Sequence, residues 1–206
     1  MRFDTAADDR RPRFRLTLEP FYAAFRAPFI GRSPVDLLHG GGVGLIADVT
    51  LPWALGVRLR SSYSGHPAPA AYELRDGTPV LVAPPGTIHN VEVAGALLYA
   101  WDIGRVAPVL ELGVGGLWIR SPEGVQAGQR EQPCTADHQC EIGLSCAADL
   151  VCRPSARATL HFGLAVDVAV HRRWSIGGGF RYFAWISAPG TFPVYLQASL
   201  RATTRF

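Results

Sequence analysis

The sequence predicts an all-β protein, an eight-stranded antiparallel up-and-down β-barrel that crosses a membrane. Three observations carry the prediction. Apolar residues recur with a period of two in eight separate stretches, most of them 9–13 residues long. Strands of about 9–11 tilted residues cross a bilayer, whereas soluble strands average about five or six. The connections between stretches alternate between very short and long, the pattern of a barrel with a short-turn end and a long-loop end. Finally, the 206 residues are 48% apolar and only 18% charged, yet contain no apolar helix long enough to span a bilayer. The longest charge-free stretch, Tyr182–Leu200, holds Pro189, Gly190, Pro193 and Gln197.

The elements follow in chain order. Arg13–Ala24 places Phe14, Leu16, Leu18, Tyr22 and Ala24 opposite Arg13, Arg15, Thr17 and Glu19. Val43–Leu55 alternates Val43, Leu45, Ala47, Val49, Leu51, Trp53 and Leu55 with Gly44, Ile46, Asp48 and Thr50. Val57, Leu59, Ser61 and Tyr63 then oppose Arg58, Arg60, Ser62 and Ser64. A fourth stretch carries Val91, Val93, Leu97, Tyr99 and Trp101; a fifth carries Val106, Leu110, Leu112, Val114 and Trp118 against Glu111. Leu160 to Val170 alternate with Thr159, His161, Gly163 and Asp167. Trp174, Ile176, Phe180 and Tyr182 oppose Arg181, and Val194 to Phe206 close the series opposite Gln197, Arg201 and Arg205. Short turns fall near Leu55–Gly56, at Asp102–Arg105 and at His171–Arg173; long connections cover 25–41, 65–88, 121–156 and 186–193. An even strand number brings both termini to the short-turn end, with residues 1–12 as an N-terminal segment there and 13–206 as the barrel.

Alternation does not itself say which face points in. The polar face carries Glu19, Asp48, Glu92, Glu111 and Asp167 against Arg15, Arg58, Arg60, Arg181 and Arg201. An eight-stranded barrel is filled by side chains, and ten charges persist there only as a paired network. The alternative is a soluble lipocalin-like barrel whose charges face water. The chain has no lysine, and glycines recur on the polar face at 113, 115, 163, 177 and 179; both favour the interior. The tryptophans agree. Trp53, Trp101 and Trp174 lie beside the short turns, and Trp118 and Trp185 near the opposite strand ends, as two interfacial girdles would require.

The final strand, with Val194, Leu196, Ala198, Leu200 and Ala202 in phase with a closing Phe206, resembles the C-terminal signal of bacterial outer-membrane barrels. Thr204 departs from the usual apolar residue two before the end. The strand count and loop asymmetry are similar to those of the small outer membrane protein A/X-like barrels. The resemblance implies short periplasmic turns, long extracellular loops, a location in the cell outer membrane among its lipids, and recognition of Phe206 by the barrel assembly machinery. No further domain is expected after Phe206.

Cys134, Cys140, Cys146 and Cys152 all lie in the 121–156 loop at uniform spacing. An even set confined to a polar loop predicts two disulfides, and the spacing argues against zinc, which favours closer pairs. Four cysteines allow three pairings; the interlocked one, Cys134–Cys146 with Cys140–Cys152, would make a compact knob. Disulfides require an oxidising compartment. Met1–Arg15 lacks the apolar core of a signal peptide, so a removed leader is expected.

Catalytic motifs are missing. None of His39, His66, His89, His138, His161 and His171 is followed two residues on by serine, the pair found in lipid A deacylases among small outer-membrane barrels. His161 and Asp167 stand about 20 Å apart on an extended strand, too far for a dyad. The arginines are scattered, apart from Arg10, Arg11, Arg13 and Arg15, which disfavours nucleic acid. The expectation is a non-enzymatic barrel without a cofactor, its lumen filled and its loops meeting a surface partner or supporting the envelope. A membrane-embedded lipid-modifying enzyme and a soluble ligand-binding barrel are the alternatives.

Overall fold

The computed structural model describes residues 13–26, 37–51, 54–101, 103–140, 144–186 and 194–206. Residues 1–12 and Trp53 lie outside them. Eight long strands form the barrel: β1 (Arg13–Arg26), β2 (Leu38–Thr50), β3 (Leu55–Ala68), β6 (Gly86–Ala100), β7 (Val106–Arg120), β10 (Ala156–His171), β11 (Trp174–Trp185) and β12 (Val194–Arg205). Each pairs antiparallel with its sequence neighbour in the barrel, and β1 pairs with β12 from Arg15↔Arg205 to Arg26↔Val194 to close the ring. Closure leaves the barrel no sheet edge, so its strands pair on both sides within the wall, with one interruption at Pro20 in the β1–β12 ladder.

Four short strands decorate the long-loop end. β4 (Ala71–Arg75) and β5 (Thr78–Ala83) form a hairpin in the connection between β3 and β6. β8 (Leu144–Cys146) and β9 (Cys152–Pro154) form a smaller one in the cysteine loop. Neither hairpin belongs to the eight stretches of alternation. Asp76-Gly77 marked the first hairpin: both residues have positive φ, 51° and 77°, as a two-residue hairpin turn requires.

One boundary differs from expectation. β2 stops at Thr50, and Leu55 opens β3. The reversal lies between them, where Leu51 N–H donates to the Leu55 carbonyl at 2.7 Å. Outward positions are odd on both strands, so the alternation ran unbroken through the turn and concealed it.

The direction of the apolar face is settled. Leu45, Leu112, Leu164 and Val166 are 58, 54, 50 and 47% exposed. Val49 and Leu196 on the same face are partly exposed. Arg60, Glu19 and Glu92 are each 1% exposed in the interior. An apolar exterior around a charged interior inverts a lipocalin and excludes the soluble reading. From Leu55 to Tyr63 the outward face of β3 runs about 26 Å along the strand, or about 20 Å along the axis at a tilt of about 40°. That is most of the apolar band, about 25 Å tall, of such barrels.

Leu45→Arg and Leu164→Arg, each placing a cation in the middle of this belt, should cost about 2–4 kcal/mol in lipid. Denaturant unfolding of the protein in bilayers checks the figure; wild-type stability in both variants would contradict the assignment of the face.

Candidate functional site

The ten predicted interior charges all point into the barrel, and they touch. Arg58 grips Asp48 through two parallel bonds, Nε to Oδ1 at 2.7 Å and Nη2 to Oδ2 at 2.8 Å, and donates through Nη1 to Glu111. Arg181 donates through Nε to the other Glu111 oxygen and through Nη1 to Glu19 at 3.1 Å. Arg60 reaches Glu19 at 3.2 Å, Glu92, and Gln197 at 2.6 Å. Ser62 and Ser199 donate to Glu92 and Glu19 at 2.8 and 2.9 Å. Gln197, absent from the sequence-level set, lies between Arg60 and Arg181; its inward phase was the available signal.

The network is tight in the middle and loose toward the short-turn end. There Arg15 stands 3.9 Å from Asp48, and Arg201 stands 3.6 Å from Asp167. Space for the inner side chains comes from glycine. A Cβ on Gly163 would overlap the Glu111 side chain, and one on Gly113 would overlap His161. Five cations and five anions make the set neutral, the condition under which a confined charge cluster is tolerated.

Toward the long-loop end the interior turns apolar, which the sequence reading did not anticipate. Phe21, Phe25, Ile88, Leu117, Ile119, Phe183, Trp185 and Tyr195 pack into one buried cluster. Phe25 meets Tyr195 edge-on at 5.5 Å and Trp185 at 6.2 Å. Arg60 joins the two layers, its guanidinium 5.5 Å from the Phe21 ring and 5.8 Å from Phe183.

Trp185 therefore corrects an expectation. It is 4% exposed and belongs to this inner layer, not to a lipid-facing girdle. Its position is odd on β11, in phase with inward Arg181 and out of phase with outward Trp174 and Phe180, so parity overrules proximity to a strand end. Trp101 and Trp174 point outward at the short-turn end and Trp118 outward near the other, at 43, 51 and 42% exposure. Phe206 is outward beside Phe14, with ring centroids 5.9 Å apart, and its N–H donates to the Phe14 carbonyl. At the upper margin two tyrosine–histidine pairs also face out: Tyr22 with His39, and Tyr63 with His89 at 2.6 Å.

The histidines stand apart from Asp167 among the described residues. His161 faces Phe183 at 5.5 Å and stands 3.9 Å from Glu111, while Asp167 lies farther down β10 beside Arg201. Ser64 and His66 do touch, at 3.1 Å, in the order opposite to the deacylase pair. They are 1 and 0% exposed, inside the barrel, with the His66 ring against Phe25 and Tyr195.

The four cysteines form two disulfides, Cys134–Cys146 and Cys140–Cys152, with Cα separations of 5.8 and 5.7 Å. The pairing is the interlocked one. It packs both bridges around buried Leu144, a core that the loop would otherwise lack. Asp137 accepts from the Cys146 N–H at 2.7 Å. Glu131 and Asp149 flank Arg153 at 2.6 and 2.8 Å; the Arg153 hydrogen bond holds the Asp149 carboxyl below its ordinary pKa. The loop leans on its neighbour: Gln129 Nε2 donates to the Val82 carbonyl of β5 at 2.9 Å.

Arg58→Met should destabilise the barrel by about 3–5 kcal/mol, because Asp48 and half of Glu111 lose their partner in a dry interior. Urea titration in detergent checks this, and Arg58→Met with Asp48→Leu should recover part of the loss. Wild-type protein in a planar bilayer should show no large conductance. Reduction of the disulfides should raise protease cleavage within 121–156 and leave the barrel's melting in detergent nearly unchanged; a large fall in barrel stability would show that the bridges support the wall.

No protein-family model matches the chain, and no curated protein matches it. Solved structures do. The crystal structure of Neisserial surface protein A superposes with a TM-score of 0.57 at 11% identity, covering 94% of this chain and 97% of that one. Ail, the attachment invasion locus protein of Yersinia pestis, in complex with the heparin analogue sucrose octasulfate, gives 0.50 at 12% identity, covering 95% and 99%. With the closed ring, the apolar exterior and the filled interior, these likenesses establish that the chain has the fold of the small eight-stranded outer-membrane β-barrels.

Proposed function

We propose that this chain is a non-enzymatic outer-membrane protein whose long loops present a binding surface outside the cell. The observation that carries the reading is the division of the molecule. Among the described residues the interior is filled, its middle by a neutral ion network and its outer mouth by an aromatic layer. The long-loop end, in contrast, is built outward on a rigid support. In the β4–β5 hairpin, Tyr72 pairs with Leu81 and Leu74 with Pro79, so all four share one face. Tyr72 and Leu74 are 64 and 74% exposed, and Leu150 and Val125 of the neighbouring loop 57 and 47%. Apolar side chains held in the open on a braced scaffold favour a protein partner. Ail carries a heparin analogue in its complex. Here Arg75, Arg130 and Arg153 are each engaged by a carboxylate, which favours an apolar protein surface over a sulfated glycan.

Residence in the outer membrane is supported by the lipid-facing belt, by the fold and by disulfides that need an oxidising side. The outward alternation of β12 ending on Phe206 supports handling by the barrel assembly machinery. Support of the envelope is compatible with the same surface.

The test is attachment of bacteria that display the protein. Replacing 71–83 with a Gly-Ser linker should abolish attachment to a host-protein-coated surface, and Tyr72→Ser with Leu74→Ser should reduce it severalfold, while heat-modifiable migration of the barrel persists. Full attachment without the hairpin would remove the loops from the function. Release of lipid acyl chains by the detergent-solubilised protein would replace this reading with an enzymatic one.

A further inference from the structure

The short-turn end carries a second surface of different chemistry. Arg105 lies in the turn between β6 and β7, and its carbonyl accepts the Ala169 N–H of β10 at 2.8 Å. His171, Arg172 and Arg173 make the reversal from β10 to β11, and the Arg173 carbonyl accepts the Arg205 N–H of β12 at 2.9 Å. These two backbone bonds tie four arginines and a histidine into one arc across the adjacent strands β7, β10, β11 and β12. Arg105, His171, Arg172 and Arg173 are exposed, and Arg205 Nε has no acceptor among the described residues.

Among the described residues, little offsets this charge. The sequence of these turns holds one acid, Asp102, outside the described residues. The nearest interior carboxylates are already engaged: Asp48 with Arg58, and Asp167 beside Arg201. At the other end Arg75, Arg130 and Arg153 sit on carboxylates, whereas no ion pair joins Arg105, Arg172 or Arg173 to a described carboxylate.

Depth identifies the partner. Arg173 is followed by outward Trp174, and Arg105 is preceded two residues earlier by Ile103, which is 67% exposed. Arg205 is followed by outward Phe206. Each cation thus stands one or two residues from a side chain at the margin of the lipid belt, where aromatic residues prefer the headgroup region. The turns are too short to project farther. We infer that this rim docks the anionic headgroups of phospholipids in the adjoining leaflet, with guanidinium forks on lipid phosphates. A periplasmic polymer or acidic protein would be met better by a protruding loop. The inference rests on the membrane reading above.

The experiment compares spin-labelled phosphatidylglycerol with spin-labelled phosphatidylcholine around the full chain in phosphatidylcholine nanodiscs. Wild type should favour the anionic lipid about fivefold, the scale of one well-placed arginine near a membrane surface. The preference should fall toward one in about 0.5 M salt and in the combined variant Arg105→Gln, Arg172→Gln, Arg173→Gln, and should survive the three corresponding Arg→Lys changes. Arg75→Gln with Arg153→Gln, at the opposite end, should keep it. Equal association of both lipids with wild type overturns the proposal, as does an undiminished preference in the folded triple Gln variant. Binding of a soluble anionic glycan without lipid preference overturns it in favour of a polymer. If the triple Gln variant does not fold, the wild-type ratio and its salt dependence decide. Failure of wild type to enter nanodiscs overturns both this inference and the membrane reading; insertion without preference overturns this inference alone.

Discussion

Glu111 is held from both sides, by Arg58 on one oxygen and Arg181 on the other. Those arginines lead on to Asp48 and Glu19, and Glu19 leads to Arg60. The chain of contacts expresses one constraint. An eight-stranded wall encloses a space about as wide as its own side chains, so the polar face required by a lipid-facing exterior has to neutralise itself. Charge balance, the glycines opposite the inner side chains, and the use of arginine alone follow from it. A planar fork meets two carboxylates at once, which an ammonium group cannot do with the same geometry.

The same constraint accounts for the change of character along the axis. Where the wall meets the long loops, no opposing charges are supplied, and Phe25, Phe183, Trp185 and Tyr195 fill the space instead. Tyr195 joins the two layers by hydrogen bonding to Ser64 and Gln197 at 2.8 and 2.9 Å. The interior is therefore a graded plug: apolar at the loop end, ionic in the middle and loosely paired at the short-turn end. A barrel closed in this way leaves its ends and its lipid belt as the surfaces available to other molecules.

The two ends are built from different material. The 121–156 loop acquires rigidity from two interlocked disulfides around Leu144, and its Gln129 braces the β4–β5 hairpin. The short turns need no such support, because each is continuous with two barrel strands. One end holds apolar side chains in the open beside the paired Arg75, Arg130 and Arg153; the other holds Arg105, Arg172 and Arg173 exposed at the margin of the apolar belt.

Much of this was legible in the sequence because a strand in a barrel with unlike sides writes its orientation with a period of two. The strand count, the outward belt, the ten interior charges and the bridged loop are all properties of single stretches of chain. What joins the stretches is not. Arg181 meets Glu19 across 162 residues of sequence, and which carboxylate each arginine takes depends on the register between strands, which periodicity leaves free. Parity could have turned Trp185 inward, and Asp76-Gly77 could have announced a hairpin, but both signals are weak beside proximity to a strand end and a Pro/Gly-rich neighbourhood. The aromatic layer was hidden because Phe21, Ile119, Phe183 and Tyr195 are apolar residues on the polar side of their strands, where only the closed wall shows that they converge. Disulfide pairing and the arginine arc likewise depend on distances in space, and those were decided when the ring closed.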